Sequence, residues 1–394
     1  MTKFCRIVTT IWCILFIIAL VLSAFLYWYY SYDVTGLVLY KDELIQDLIP
    51  YYSQIYIVTE EGDVYITVDH TVTNDRKLIN SQSYPNDILN TGSPVKIYDG
   101  KIAKIIPYGN VKTLLINENG ELFDFDDFET TKLADGVFYA IRVHYSHGEM
   151  IFSEGNEKIY YVIGTNNVLY AMNGEGEKKE LFSDVVSVDY YLDTLLVLFK
   201  NGDLNQYSIS DGNTIVLKEK IFENVGSFDI RDTSLRYDGE RFVFDDEEAK
   251  KKPLINVLTF GGSLYVKGAY NLLCCTRSAK ATPTPKIIDE WTLIAENVES
   301  FSMAPMGTAF KYKDNTAAYY GFDTDNSSDS ENKFGYLDLG LTNVTTVYAD
   351  NVEVTVQTNK TFYTWGFALD RTFDVSSSKN YNLFDGEPHI ITVP

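Results

Sequence analysis

A pair of turn-forming residues recurs along this chain at a spacing of about 50, each time between two apolar segments. The pairs are Glu61-Gly62, Asn119-Gly120, Asn166-Asn167, Asn201-Gly202, Gly261-Gly262, Asp314-Asn315 and Asn359-Lys360. Residues of this kind supply the positive φ angles that two-residue hairpin turns need. A short apolar segment precedes several of the hairpins: DVVSV from Asp184, NVGSF from Asn224, NVESF from Asn297 and NVTTV from Asn343. The unit therefore reads strand, loop, hairpin, then a more variable outer segment. A mostly β repeat of about 40–50 residues predicts a propeller, whose blades bury their sheets against one another around a channel. The expected fold is all-β, with seven blades, or eight if a further hairpin at Asp238-Gly239 is a unit of its own. The ring is expected to close by pairing of the β-branched run Glu387–Pro394 within an N-terminal blade, because a propeller must not leave open sheet edges.

The composition agrees. Thirty Tyr and 23 Phe favour strands, and no long amphipathic helical pattern follows residue 50. Lys41–Ile49 reads either as a short helix or as the first strand. A formal net charge of -22 excludes nucleic-acid binding through a broad basic face. Four cysteines are too few for a disulfide framework, and the adjacent Cys274 and Cys275 form no CxxC or zinc pattern.

Ile7 to Tyr30 carries no charge. As a helix this run spans about 36 Å, enough to cross a hydrocarbon core of about 30 Å. Lys3 and Arg6 precede it, Asp33 follows, and Tyr27–Tyr30 suits the interfacial aromatic belt. A cleaved signal peptide would have a shorter apolar run followed by small residues, and Leu22–Ala24 is a weak cleavage site. The expectation is a single-pass signal-anchor at the cell membrane: residues 1–6 cytosolic, 7–30 spanning, 31–394 an extracytoplasmic propeller.

The C-terminal units carry a family likeness. IAENVESF followed by AFKYKDNTAAYYGFD, LTNVTTV followed by EVTVQTNKTFYTWGF, and LTFGGSLYVKGAYN resemble repeats of the regulator of chromosome condensation family. The likeness rests on Gly366 after Trp365, Gly321 after Tyr320, and Gly268 with Asn271, and covers residues from about 254 to 394. Asp126, Asn173, Ser208 and Asp245 stand at the glycine's place upstream. The resemblance implies a closed propeller, usually seven-bladed. It does not carry over nucleotide exchange on a nuclear GTPase, because this chain is acidic and reads as anchored. The family's secreted bacterial branch, in which the propeller is a binding face, is the better precedent.

No nucleophile, phosphate-loop, zinc-protease or dinucleotide motif occurs, so no enzyme activity and no catalytic residue are expected. His144 and His147 would point to opposite faces of a strand. Asp323, Asp325 and Asp329 are spaced like calcium ligands, but Ser328 and Phe334 replace the glycine and glutamate such a loop requires, so no cofactor is expected. Asp124–Glu129 is rich in carboxylates with nothing to mark one as a general acid. Asn326, Asn343 and Asn359 open glycosylation sequons. Recognition is expected in the loops after the three glycine-ended hairpins, Leu272–Asp289, Asp323–Lys333 and Phe367–Asn380. Their residues Arg277, Phe367, Arg371 and Phe373 are types enriched at interface hot spots. The expected function is non-enzymatic binding of a protein or glycan. The alternatives are a glycan-active hydrolase, which needs paired carboxylates at the channel mouth, and a structural subunit of a membrane assembly, which needs an apolar rim.

Overall fold

The computed structural model describes residues 45–51, 54–68, 95–109, 112–126, 129–143, 158–191, 194–210, 214–231, 235–237, 242–244, 253–270, 286–322, 334–349, 353–358, 361–366 and 389–392. They form seven four-stranded antiparallel sheets and one two-stranded hairpin. In chain order, from inner to outer strand, blade 1 is Ile45–Tyr51, Gln54–Thr59, Val64–Val68 and Val95–Tyr98. Blade 2 is Ile102–Gly109, Lys112–Asn117, Leu122–Asp126 and Glu129–Ala134. Blade 3 is Val137–Val143, Ile159–Gly164, Leu169–Asn173 and Lys178–Phe182. Blade 4 is Val185–Tyr191, Thr194–Phe199, Leu204–Ser210 and Thr214–Phe222. Blade 5 is Val225–Arg231, Leu254–Thr259, Leu264–Tyr270 and Lys286–Ala295. Blade 6 is Val298–Ala304, Gly307–Tyr312, Ala317–Phe322 and Phe334–Asp338, and blade 7 is Val344–Ala349, Glu353–Thr358, Thr361–Gly366 and His389–Thr392.

Seven blades settle the count. The hairpin at Asp238-Gly239 does not found an eighth: its strands Leu235–Tyr237 and Phe242–Phe244 pair only with each other, between the inner and second strands of blade 5. Lys41–Ile49 resolves in favour of a strand from Ile45 onward.

Six of the seven predicted turns are described, and each is a three-residue loop rather than the two-residue one expected. Gly62 N donates to Thr59 O at 2.9 Å and Thr59 N to Asp63 O at 3.0 Å, and the other five repeat this arrangement. Only the last loop residue has positive φ: Gly62, Gly120, Asn167, Gly202, Gly262 and Asn315. That is a type I turn closed by a left-handed residue, which explains why Asn serves there as well as Gly.

The Asn-Val openings have an equally local cause. Asp184, Asn224, Asn297 and Asn343 each take φ near +60°, and the valine that follows starts the inner strand fully or almost fully buried. The left-handed residue and its valine also clasp adjacent blades. Val225 N donates to Gly202 O of blade 4 at 2.9 Å, while Asn224 O accepts from Phe260 N of its own blade at 3.0 Å. The valine-to-turn half of this clasp recurs from Val137, Val185, Val298 and Val344. Just beyond it, every blade has a register slip between inner and second strands, for example between Val225 and Ser227 or between Ile163 and Gly164, which bends the inner strand where it meets the channel.

The aromatic-glycine endings reflect close packing. Gly321 pairs with Gly307 on one side and Gly335 on the other. A Cβ on Gly321 would lie 2.4 Å from Gly307 Cα, and one on Gly307 would lie 2.1 Å from the hydroxyl of Tyr319. That hydroxyl donates to Phe322 O at 2.8 Å, so the ring lies across the glycine pair.

Apolar clusters fill the space between neighbouring blades. Tyr56 and Ile66 meet Leu115 and Phe125 between blades 1 and 2, and Ala309 and Tyr319 meet Val356 and Trp365 between blades 6 and 7. Leu122, Asp124 and Phe125 of one third strand are all buried, because a blade packs on both faces.

The ring closes without strand exchange, contrary to the sequence expectation. His389–Thr392 is the outer strand of blade 7, paired with Thr361–Thr364, and blade 1 is built wholly from residues 45–98. Closing blade 1 with a C-terminal strand is unnecessary because it already owns four. Blades 7 and 1 are joined instead by the Tyr348 hydroxyl, which donates to Asp47 Oδ2 at 2.7 Å, and by Gln357 Nε2, which donates to Gln46 O at 2.9 Å.

Candidate functional site

Strand direction divides the connections between two faces. On one face lie the turns from second to third strands and from outer strands to the next blade, none longer than the five residues 339–343. On the other, inner strands end and second strands begin, and third strands end and outer strands begin; the chain between these ends runs from two residues (52–53) to the whole of 69–94. We call this second face the loop face; Leu235–Tyr237 and Phe242–Phe244 lie in the chain between two strand ends that open on it. The three segments predicted to bind a partner all join third to outer strands, in blades 5, 6 and 7. The first ends earlier than expected, because Lys286–Ala295 is the outer strand of blade 5. Arg277, Phe367, Arg371 and Phe373 lie outside the described residues, as do Asp323, Asp325, Asp329, His144 and His147.

Two polar clusters reach toward this face. The first joins blades 2 and 3 and includes part of the acidic stretch at Asp124–Glu129. Asp124, 2% exposed, accepts from the Tyr160 hydroxyl at 2.5 Å and from the Tyr108 hydroxyl. Arg142, 11% exposed, donates to Tyr108 and lies 2.8 Å from Asp126 and 3.5 Å from Asp124. Lys112 and Lys158 contact Asp126 at 2.7 and 3.1 Å. Burial works against ionisation of Asp126, but hydrogen bonds from Lys112, Arg142 and Lys158 outweigh it and hold the carboxyl well below its usual range. Burial and the bond to Asp124 push the Tyr108 and Tyr160 hydroxyls well above theirs. Three cations and two hydroxyls thus surround two carboxylates. Such a cluster locks two blades together.

The second cluster joins the inner strands of blades 4 and 5. Asp189 and Asp229 are the fifth residues of the inner strands of blades 4 and 5, at the same level, and their carboxyl groups hydrogen-bond to each other. Arg231 donates to Asp229 at 3.2 Å, and Asp189 accepts from Tyr190 N at 2.7 Å. Burial, then the charge of Asp229, pushes Asp189 up to about 7, and burial raises Asp229 as well. Two carboxyls in contact share a proton, since both cannot be charged there cheaply. Burial and the same carboxylates raise the nearby Tyr139. This pair escaped the sequence reading although a signal existed: VVSVD and VGSFD place an aspartate at the same position of consecutive units.

Among the described residues, no group of three or more His, Cys, Asp or Glu side chains is placed to hold a metal ion. No helix among them is long and apolar enough to cross a membrane, and Ile7–Tyr30 lies outside them.

Comparison with known proteins finds no matching family model and no matching curated protein. Solved structures do match. Human WBSCR16 aligns at 13% identity and a TM-score of 0.44, over 90% of this chain and 83% of its own. Yeast RCC1 (Prp20), crystallised with Kap60, aligns at 12% and 0.42, over 86% and 74%. The WD40 domain of SCAP from fission yeast aligns at 10% and 0.44, over 84% and 97%. These scores identify no family.

Proposed function

We propose that this chain is a single-pass membrane protein whose extracytoplasmic propeller, built from repeats like those of the chromosome-condensation regulators, binds a protein or glycan partner without catalysis. The observation that carries the reading is the asymmetry of the two faces. The short-turn face is uniform from blade to blade and its backbone is tied up in inter-blade clasps. The loop face is free to vary, as recognition surfaces on a rigid scaffold do. Arg277, Phe367, Arg371 and Phe373 are the proposed contact residues. The hydrolase alternative needs two carboxyls about 5 Å or more apart. Asp189 and Asp229 pair with each other, an arrangement that fits a structural pair better than two carboxyls set apart across a glycosidic bond.

The test is capture of surface proteins and glycans by the segment from residue 32 onward. The combined variant Phe367→Ala, Arg371→Ala, Phe373→Ala is expected to lose the partner, whereas Phe260→Ala on the short-turn face is expected to keep it. The reverse outcome places binding on the wrong face.

One observation favours the structural-subunit alternative. Outer strands of three consecutive blades expose large apolar side chains: Val216 and Leu217, Leu293, and Tyr336. Under that reading Leu217→Lys with Leu293→Lys abolishes assembly and leaves loop-face variants without effect.

A further inference from the structure

We propose that the short-turn face is the membrane-proximal one, so that the loop face points away from the bilayer toward the extracytoplasmic space. This inference rests on the reading of Ile7–Tyr30 as an anchor. Ile45 is the first residue of the inner strand of blade 1. Inner strands begin at the short-turn face, where each later one is reached through a tight turn such as Ser183-Asp184 or Glu296-Asn297. The chain therefore enters the propeller near its axis, through that face.

Residues 31–44 link the apolar run to this point. A relaxed chain of that length spans about 20 Å, and a fully extended one no more than about 50 Å. For the loop face to meet the bilayer, the link would have to pass outward across a blade and then down its side. The four strands of a blade are about 15 Å across, and a seven-residue inner strand is about 23 Å tall. Such a path consumes about three quarters of the fully extended length before any side chain is cleared, and about twice the relaxed span. The opposite orientation needs no detour.

The charge of the short-turn face adds to the picture. Glu60, Glu61, Asp99, Glu118, Asp135 and Glu223 are exposed there, against Lys101, Lys200 and Lys313. Anionic headgroups repel such a surface rather than bind it. The face stands off from the lipid on its tether and does not lie flat on it.

The experiment uses the full chain in vesicles of phosphatidylcholine and phosphatidylglycerol. A donor fluorophore is placed at Glu118→Cys or Glu296→Cys on the short-turn face, or at Glu175→Cys on the loop face, all exposed turn positions. Cys5, Cys13, Cys274 and Cys275 are replaced by alanine. Energy transfer to headgroup acceptors is expected to place Glu118 and Glu296 about 20 Å nearer the lipid than Glu175. An alkaline carbonate wash is run in parallel. Protein retained in the membrane with Glu175 nearer, or with all three equidistant, overturns the orientation and leaves the anchor standing. Protein released by the wash overturns both.

Discussion

Two side-chain clusters make opposite demands on pH. Asp189 and Asp229 are raised, so the folded state holds a proton that the unfolded chain has lost by neutral pH. Stability from this pair is complete below the ordinary carboxylate range and falls as pH rises through about 7. Asp189→Asn keeps a hydrogen-bonding group beside Asp229 and removes the shared proton. Urea midpoints at about pH 5 and about pH 9 are therefore expected to differ less in the variant than in the parent. Asp126 has the reverse sign: its stabilising charge is present above the ordinary carboxylate range and is lost as pH falls below it. Arg142→Met removes the most buried of the three cations, leaving Lys112 and Lys158 on Asp126 and the two tyrosine hydroxyls on Asp124. The expected loss is about 1–3 kcal/mol by chemical denaturation. The two clusters differ in how far a sequence spacing shows them. Arg142 meets Asp126 only because one blade folds against the next, whereas the Asp189/Asp229 register could have been read from two aligned repeats.

Turns and strands were far more legible than side-chain partners, because their causes are local. A left-handed residue must be Gly, Asn or Asp almost wherever the tertiary structure places it, so the six described turns and four Asn-Val or Asp-Val openings announced themselves. Loop length was misread by one residue because Asn-Gly serves both the two-residue turn and the three-residue turn with a terminal left-handed residue. The C-terminal strand was assigned to the wrong blade because an edge strand's sequence names its side-chain pattern but not its neighbour. Its placement makes removal of His389–Thr392 a local injury. Amide exchange is expected to rise at Thr361–Thr364, which lose their partner strand, and to stay unchanged at Asp47–Ile49 on the ring seam. Faster exchange at Asp47–Ile49 would show that the outer strand supports closure after all.

At the scale of the molecule, the repeat period alone implied a propeller, but not which connections share a face. That followed once each segment was assigned to a place between strands. The same assignment shows that every blade is made from one unbroken stretch of chain, apart from the hairpin inserted in blade 5. The seam between blades 7 and 1 lacks an interwoven strand, and the Tyr348–Asp47 bond is part of what spans it. Tyr348→Phe leaves Asp47 without that donor in a largely enclosed site, and thermal unfolding is expected to show a cost of about 1–3 kcal/mol. The seam also defines a mechanical weak point. A load drawn between the two ends of the ring acts directly across it, with no interlaced backbone to share the force. The first yielding event is then the parting of intact blades, as a split washer springs open, and unravelling of any single sheet comes later and at higher tension.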